Sequence, residues 1–82
     1  LPEISLAAAR WKGGRTRVVL GGLTLKPELV LDGTVTQGFI EQINIACSHY
    51  LPIEDSSNYY KNIISTLSER IFILINSTEV SV

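Results

Sequence analysis

Between Ser57 and Asn76 the apolar positions Tyr60, Ile63, Ile64, Leu67, Ile71, Leu74 and Ile75 recur at steps of three and four. That spacing predicts a long helix with one apolar stripe, with Lys61, Asn62, Ser65, Ser68 and Glu69 elsewhere on its surface. Such a stripe must be covered, and the N-terminal half of the chain supplies the cover as strands. Glu3–Trp11 alternates, with Ile4, Leu6 and Ala8 on one face and Ser5, Ala7, Ala9 and Trp11 on the other. Arg15–Leu20 is the returning strand. Only a three-residue loop, Lys12 to Gly14, places Thr16, Val18 and Leu20 on the face of Ile4, Leu6 and Ala8; a two-residue Gly-Gly loop puts them on opposite faces. The expectation is a type I turn with a bulge at a left-handed Gly14, so that Gly14→Ala costs more than Gly13→Ala. Arg15 and Arg17 then share the outer face with Trp11, in reach of a cation–π contact.

Gly21-Gly22 closes that strand, as a bend, a bulge or a place where another backbone passes close by. Leu23–Leu31 reads as a third extended segment, with Leu23, Leu25, Leu29 and Leu31 on one face. Pro27 points to a sheet edge, and Asp32-Gly33 ends the segment. Thr36 is the expected cap of a helix over Gln37–Tyr50, with Val35 and Ile40 as a hydrophobic staple and Phe39, Ile43, Ala46, Cys47 and Tyr50 as its stripe. Leu51-Pro52 stops it. Glu54-Asp55-Ser56-Ser57 connects to the long helix, its acids near the helix's positive end. Ser77–Val82 is polar and β-prone, a frayed end or a short extra strand. The predicted class is α+β: a three-stranded antiparallel sheet with two or three helices on one face, residues 1–82 forming a single domain.

Composition narrows the chemistry. The chain has 82 residues and a net charge of -1, which gives no electrostatic case for nucleic acid or an anionic membrane. No apolar run approaches the roughly 20 residues of a membrane span. Cys47 stands alone, so an internal disulfide and a cysteine zinc site are both excluded, and a reducing, cytoplasmic compartment is expected. The first residue is not Met, which suggests a fragment, a processed product or an excised domain.

The candidate sites are few. His49 near Cys47 lacks further ligands and reads as a helix-end histidine; Cys47 reads as core. Glu54 and Asp55 read as a solvated helix start. Gly13-Gly14 and Gly21-Gly22 are doublets and not phosphate loops. The uneven feature is the basic hairpin, where Arg10, Lys12, Arg15 and Arg17 hold four of the seven positive charges. It is either a solvated face or a surface for an acidic partner. No catalytic, cofactor-binding or metal-binding residue is assigned.

The order of motifs resembles one family. A hairpin ending in Leu20-Gly21-Gly22, a Leu31-x-Gly33 step into a helix, an acidic Glu54-Asp55 connector and a long helix opening Ser57-x-x-Tyr60-Lys61 follow in turn. This is similar to the C-terminal domain of the FAD-binding subunit of molybdenum hydroxylases, the xanthine dehydrogenase and carbon monoxide dehydrogenase group. Glu3-Ile4 matches the acid-Ile start of that family's first strand, and the resemblance runs from about Glu3 to Ile75. There are departures. Lys61 stands where the family has arginine, which weakens any bidentate pair there. Lys26-Pro27 is the nearest thing to its Thr-Pro, and its lysine-arginine segment that approaches the flavin falls before Leu1. The resemblance implies a subunit that takes electrons from iron–sulfur clusters through FAD to NAD or another acceptor. It implies that FAD is held mainly by upstream domains, that this domain packs on them and faces the molybdopterin and iron–sulfur subunits, and that it is not catalytic alone. The rival reading is a stand-alone interaction module, for example a homodimer, without a redox role. Nucleic-acid binding ranks third.

Overall fold

In a computed structural model the described residues are 3–34, 37–51 and 57–78. They form strands β1 (Ser5–Arg10), β2 (Arg15–Gly21) and β3 (Glu28–Thr34), then helices α1 (Phe39–Ser48) and α2 (Ser57–Thr78). The sheet is antiparallel in the order β1-β2-β3. This is the α+β architecture that the hydrophobic pattern predicts.

The first hairpin has the register of the three-residue loop. Ala8 faces Val18 and Leu6 faces Leu20, so the apolar residues of both strands share a face. Val18 and Leu20 are fully buried there. The turn type differs from expectation. Gly13 and Gly14 both have positive φ, +108° and +96°. A type I turn needs negative φ at its second central residue, so Gly13 places this turn among those with a left-handed residue there. Gly13 is therefore as constrained as Gly14.

β3 begins later and ends later than the leucine pattern suggests. Residues 22–26 bend, and the strand runs through Asp32-Gly33 to Thr34. Val18 faces Leu31 but Val19 faces Leu29, so Val30 is an extra residue in a bulge. The bulge separates two leucines that strict alternation would keep together. Leu31 enters the core, while Leu29 turns to the opposite face and is half exposed.

Both helices cover one side of the sheet. Val18, Leu20 and Leu31 pack with Phe39, Ile43 and Cys47 of α1 and with Ile64 and Ile71 of α2. Full burial of an isoleucine such as Ile43 or Ile64 contributes about 1.5–3 kcal/mol. α1 starts behind Gly38, in left-handed backbone with no side-chain cap, two residues after the expected start. Val35 and Thr36, the expected staple and cap, lie outside the described residues, as do Glu54, Asp55 and the end of the tail. α2 follows the expected stripe with two changes. Ser68, expected at the surface, is fully buried, and Leu74, expected in the stripe, is largely exposed. The Ser68 hydroxyl donates to the Ser65 carbonyl at 2.9 Å, so its own helix satisfies it. A small residue at this point of the stripe also lets α2 approach its neighbours closely.

Candidate functional site

The hairpin register decides which side chains stand on the uncovered face of the sheet. Trp11, Arg15 and Arg17 project there, away from the helices. The Trp11 backbone N–H donates to the Arg15 carbonyl at 2.8 Å and the Trp11 carbonyl accepts from the Gly14 backbone N–H at 3.0 Å, which fixes the strand position from which the indole reaches both arginines. The guanidinium carbons of Arg15 and Arg17 lie 5.8 and 5.4 Å from the ring centroid, within cation–π range. The expected contact is present with both arginines.

Asp32 completes the cluster from β3, directly opposite Arg17. Arg15 donates to it through Nε at 3.1 Å and Nη2 at 3.2 Å, a two-pronged pair. Arg17 Nε lies 3.3 Å from the same carboxylate. The hydrogen bond from Arg15, more than any other influence, holds the Asp32 carboxyl below its ordinary range and raises the Arg15 guanidinium above its own. Two cations facing one anion leave the cluster with a surplus positive charge beside an exposed indole. Ala7, Ala9 and Leu29 continue the uncovered face as exposed small or apolar groups, with Val19 half buried among them. A face of this kind, with a Trp and arginines at one end, has the composition of a protein-binding surface.

Asp32 was hidden in the sequence because Asp32-Gly33 reads as a strand end. Only the register places it across from Arg17, and an acid facing a strand of alternating arginines is the signal that points to it.

The basic hairpin does not form one patch. Arg10 pairs with Thr16 on the inner face and donates to Asn76 Oδ1 of α2 at 3.2 Å, while Lys12 is exposed in the turn. Cys47 and His49 are not brought together. Cys47 is fully buried, and burial pushes its thiol up to about 11, which makes it inert at neutral pH. His49 is exposed at the end of α1, where its N–H bonds back to the helix carbonyls. Among the described residues no group of three or more His, Cys, Asp and Glu side chains is placed to hold a metal, and no helix is long and apolar enough to cross a membrane.

The second glycine pair has a steric cause. A Cβ on Gly22, at φ +96°, would stand 1.8 Å from the Glu3 carbonyl oxygen, and one on Gly21 would stand 2.8 Å from Ser5 Oγ. The chain entering β1 thus runs directly against the end of β2. The pair serves this crossing, as Gly13-Gly14 serves the turn, and neither cradles a pyrophosphate.

Comparisons with protein-family models, with curated proteins and with solved structures each return no match.

Proposed function

We propose that this chain is the C-terminal docking domain of the FAD-binding subunit of a molybdenum hydroxylase-like oxidoreductase. The observation that carries the reading is the crossing of Glu3 over Gly22. Glu3-Ile4 and Gly21-Gly22 are two of the motifs on which the resemblance rests, and they fall against each other in space. Ser5 pairs with Gly21, so the antiparallel register of the hairpin brings the two motifs side by side. Tyr60, the tyrosine of the third motif, is buried, so that motif is also tied to the packing of the long helix.

The role follows from the surfaces. The helices occupy one side of the sheet, and Trp11, Ala7, Ala9 and Leu29 leave the other side free to pack on a neighbouring domain. In this reading the upstream FAD-binding domain of the same subunit covers that face. The domain completes the flavin-binding unit and faces the molybdopterin and iron–sulfur subunits, while electrons pass from the iron–sulfur clusters through FAD to the acceptor. The chemistry belongs to FAD held upstream; these residues contribute shape and docking.

Intact mass and the visible absorption spectrum of the native protein from its source cells test this. A polypeptide several times heavier than 82 residues, carrying bound flavin, is the expected result. A colourless chain of about this length overturns it. The same uncovered face then supports the rival reading, an interaction module without a redox role.

A further inference from the structure

We propose that Arg17 is the recognition point of the uncovered sheet face, where it takes a carboxylate from an acidic protein segment whose neighbouring apolar side chain packs on Ala7, Ala9 and Leu29. The charged groups of the cluster have different duties. Arg15 spends Nε and Nη2 on the two oxygens of Asp32. Arg17 approaches the same carboxylate most closely through Nε, at 3.3 Å, and its terminal nitrogens make no hydrogen bond among the described residues. A guanidinium carries five donors in one plane and takes a carboxylate two-pronged. Asp32 therefore holds Arg15 and steadies Arg17, and leaves the outer edge of Arg17 with donors to give.

Position adds to this. Arg17 lies on the middle strand, with Ala9 on one flank and Asp32 on the other. Ala9 carries only a methyl group, so no bulk on that flank closes Arg17 off. The Trp11 ring stands 5.4 Å from the Arg17 guanidinium carbon and is itself half exposed. Ring and carboxylate together restrict the guanidinium before anything binds, which lowers the ordering cost of a partner's arrival.

Charge decides the occupant. The cations stand at the turn end of the face, Arg15 and Arg17 with Lys12 beyond Trp11, against the one acid Asp32. Ala7 and Val19, two residues further along their strands and so about 7 Å away, are uncharged, as is Leu29. The complement is an acid at one end and apolar groups after it. A protein segment supplies both, with acid and apolar residue two apart in an extended chain or one turn apart on a helix. A nucleic acid carries a charge on every nucleotide and would lay most of them over the uncharged stretch of a chain whose net charge is -1. The inference rests on the docking role proposed for this face, which the flavoprotein reading and its rival share, and does not need flavin.

The test is a phage-displayed library of twelve-residue peptides selected on the 82-residue chain, with Arg17→Gln as counter-target. Circular dichroism and Tm establish that the variant keeps its fold. Enriched peptides carry Asp or Glu two to four residues from an apolar residue. Titrated into isotope-labelled chain, the strongest peptide shifts the Trp11 indole N–H together with Ala7, Ala9, Arg17 and Leu29. Its affinity falls about tenfold or more with Arg17→Gln, and changes little with Lys12→Gln. Changing the peptide's acid to its amide gives the same loss with the protein untouched. Asp32→Asn raises the affinity about threefold, because Asp32 competes for the same cations and its loss also frees Arg15. A purely structural Asp32 would lower it. No enrichment of acids, equal binding to Arg17→Gln, weaker binding to Asp32→Asn, dimerisation through this face, or tighter binding there by a twelve-nucleotide oligo-dT would each overturn the proposal. None of these outcomes bears on native mass or flavin content, so this inference and the flavoprotein reading fail separately.

Discussion

Gly22 is the residue least open to change. Its Cβ position is filled by the Glu3 carbonyl and its φ is positive, so Gly22→Ala combines a backbone clash with a left-handed side chain. The expected cost is at least about 3 kcal/mol, read as a lowered urea midpoint. Gly13→Ala and Gly14→Ala cost roughly 1–2 kcal/mol each, alike within error, because both have positive φ and neither new Cβ meets a close neighbour. A large excess for either would restore a single left-handed position in the turn. Asp32 gives a pH signature. Its folded carboxyl lies below its unfolded value, so its contribution is complete above the unfolded carboxylate range and fades as pH falls through the folded one. Asp32→Asn should remove that part of the acid dependence below about pH 4, and added salt should blunt it in the wild type.

At the scale of elements, the long helix carries most of what periodicity makes legible. Tyr60, Ile64 and Ile71 are buried where the stripe places them. Ile64→Ala should cost about 2–5 kcal/mol, and Leu74→Ala under about 0.5 kcal/mol, as judged by thermal unfolding. Ser68→Ala should be neutral or slightly stabilising, since the hydroxyl bonds only within α2; Ser68→Leu should cost about 1–3 kcal/mol by overpacking. Ser68 was not legible in the sequence because polarity alone assigned it to solvent, and a close approach between elements is a tertiary property. The first hairpin was legible because parity leaves one register that matches the apolar faces. β3 was not, because an inserted residue at Val30 leaves no mark on a Leu-x-Leu-x-Leu pattern. The α1 start was blurred by Gly38, whose left-handed backbone sets the boundary without a capping side chain. Of the candidate site, Trp11, Arg15 and Arg17 were readable from strand alternation. Asp32 was not, since it depends on which residue of a third strand comes to lie opposite.

For the whole molecule, the two sides of the sheet differ in kind: among the described residues one side is filled by helices, and the other is left open and carries the single tryptophan. That tryptophan reports on the open side. Free in solution, Trp11 should be quenched more strongly by iodide than by caesium, because Arg15 and Arg17 draw anions to the ring. Asp32→Asn should widen the difference by exposing both cations. Protection from both quenchers in the native assembly would place a partner on this face; unchanged quenching there would count against a docking role for it.

The crossing at Gly22 also has a mechanical side. It sets the start of β1 against the far end of the hairpin, about 20 Å along the strand from Arg10, which donates to Asn76 of α2. A pull applied between Glu3 and Asn76 runs lengthwise along β1. The rungs that join β1 to β2 are then loaded together in shear and cannot be opened one at a time. Tension applied between these two points is borne by the first strand as a whole, and the strand should yield in one abrupt step instead of by gradual peeling.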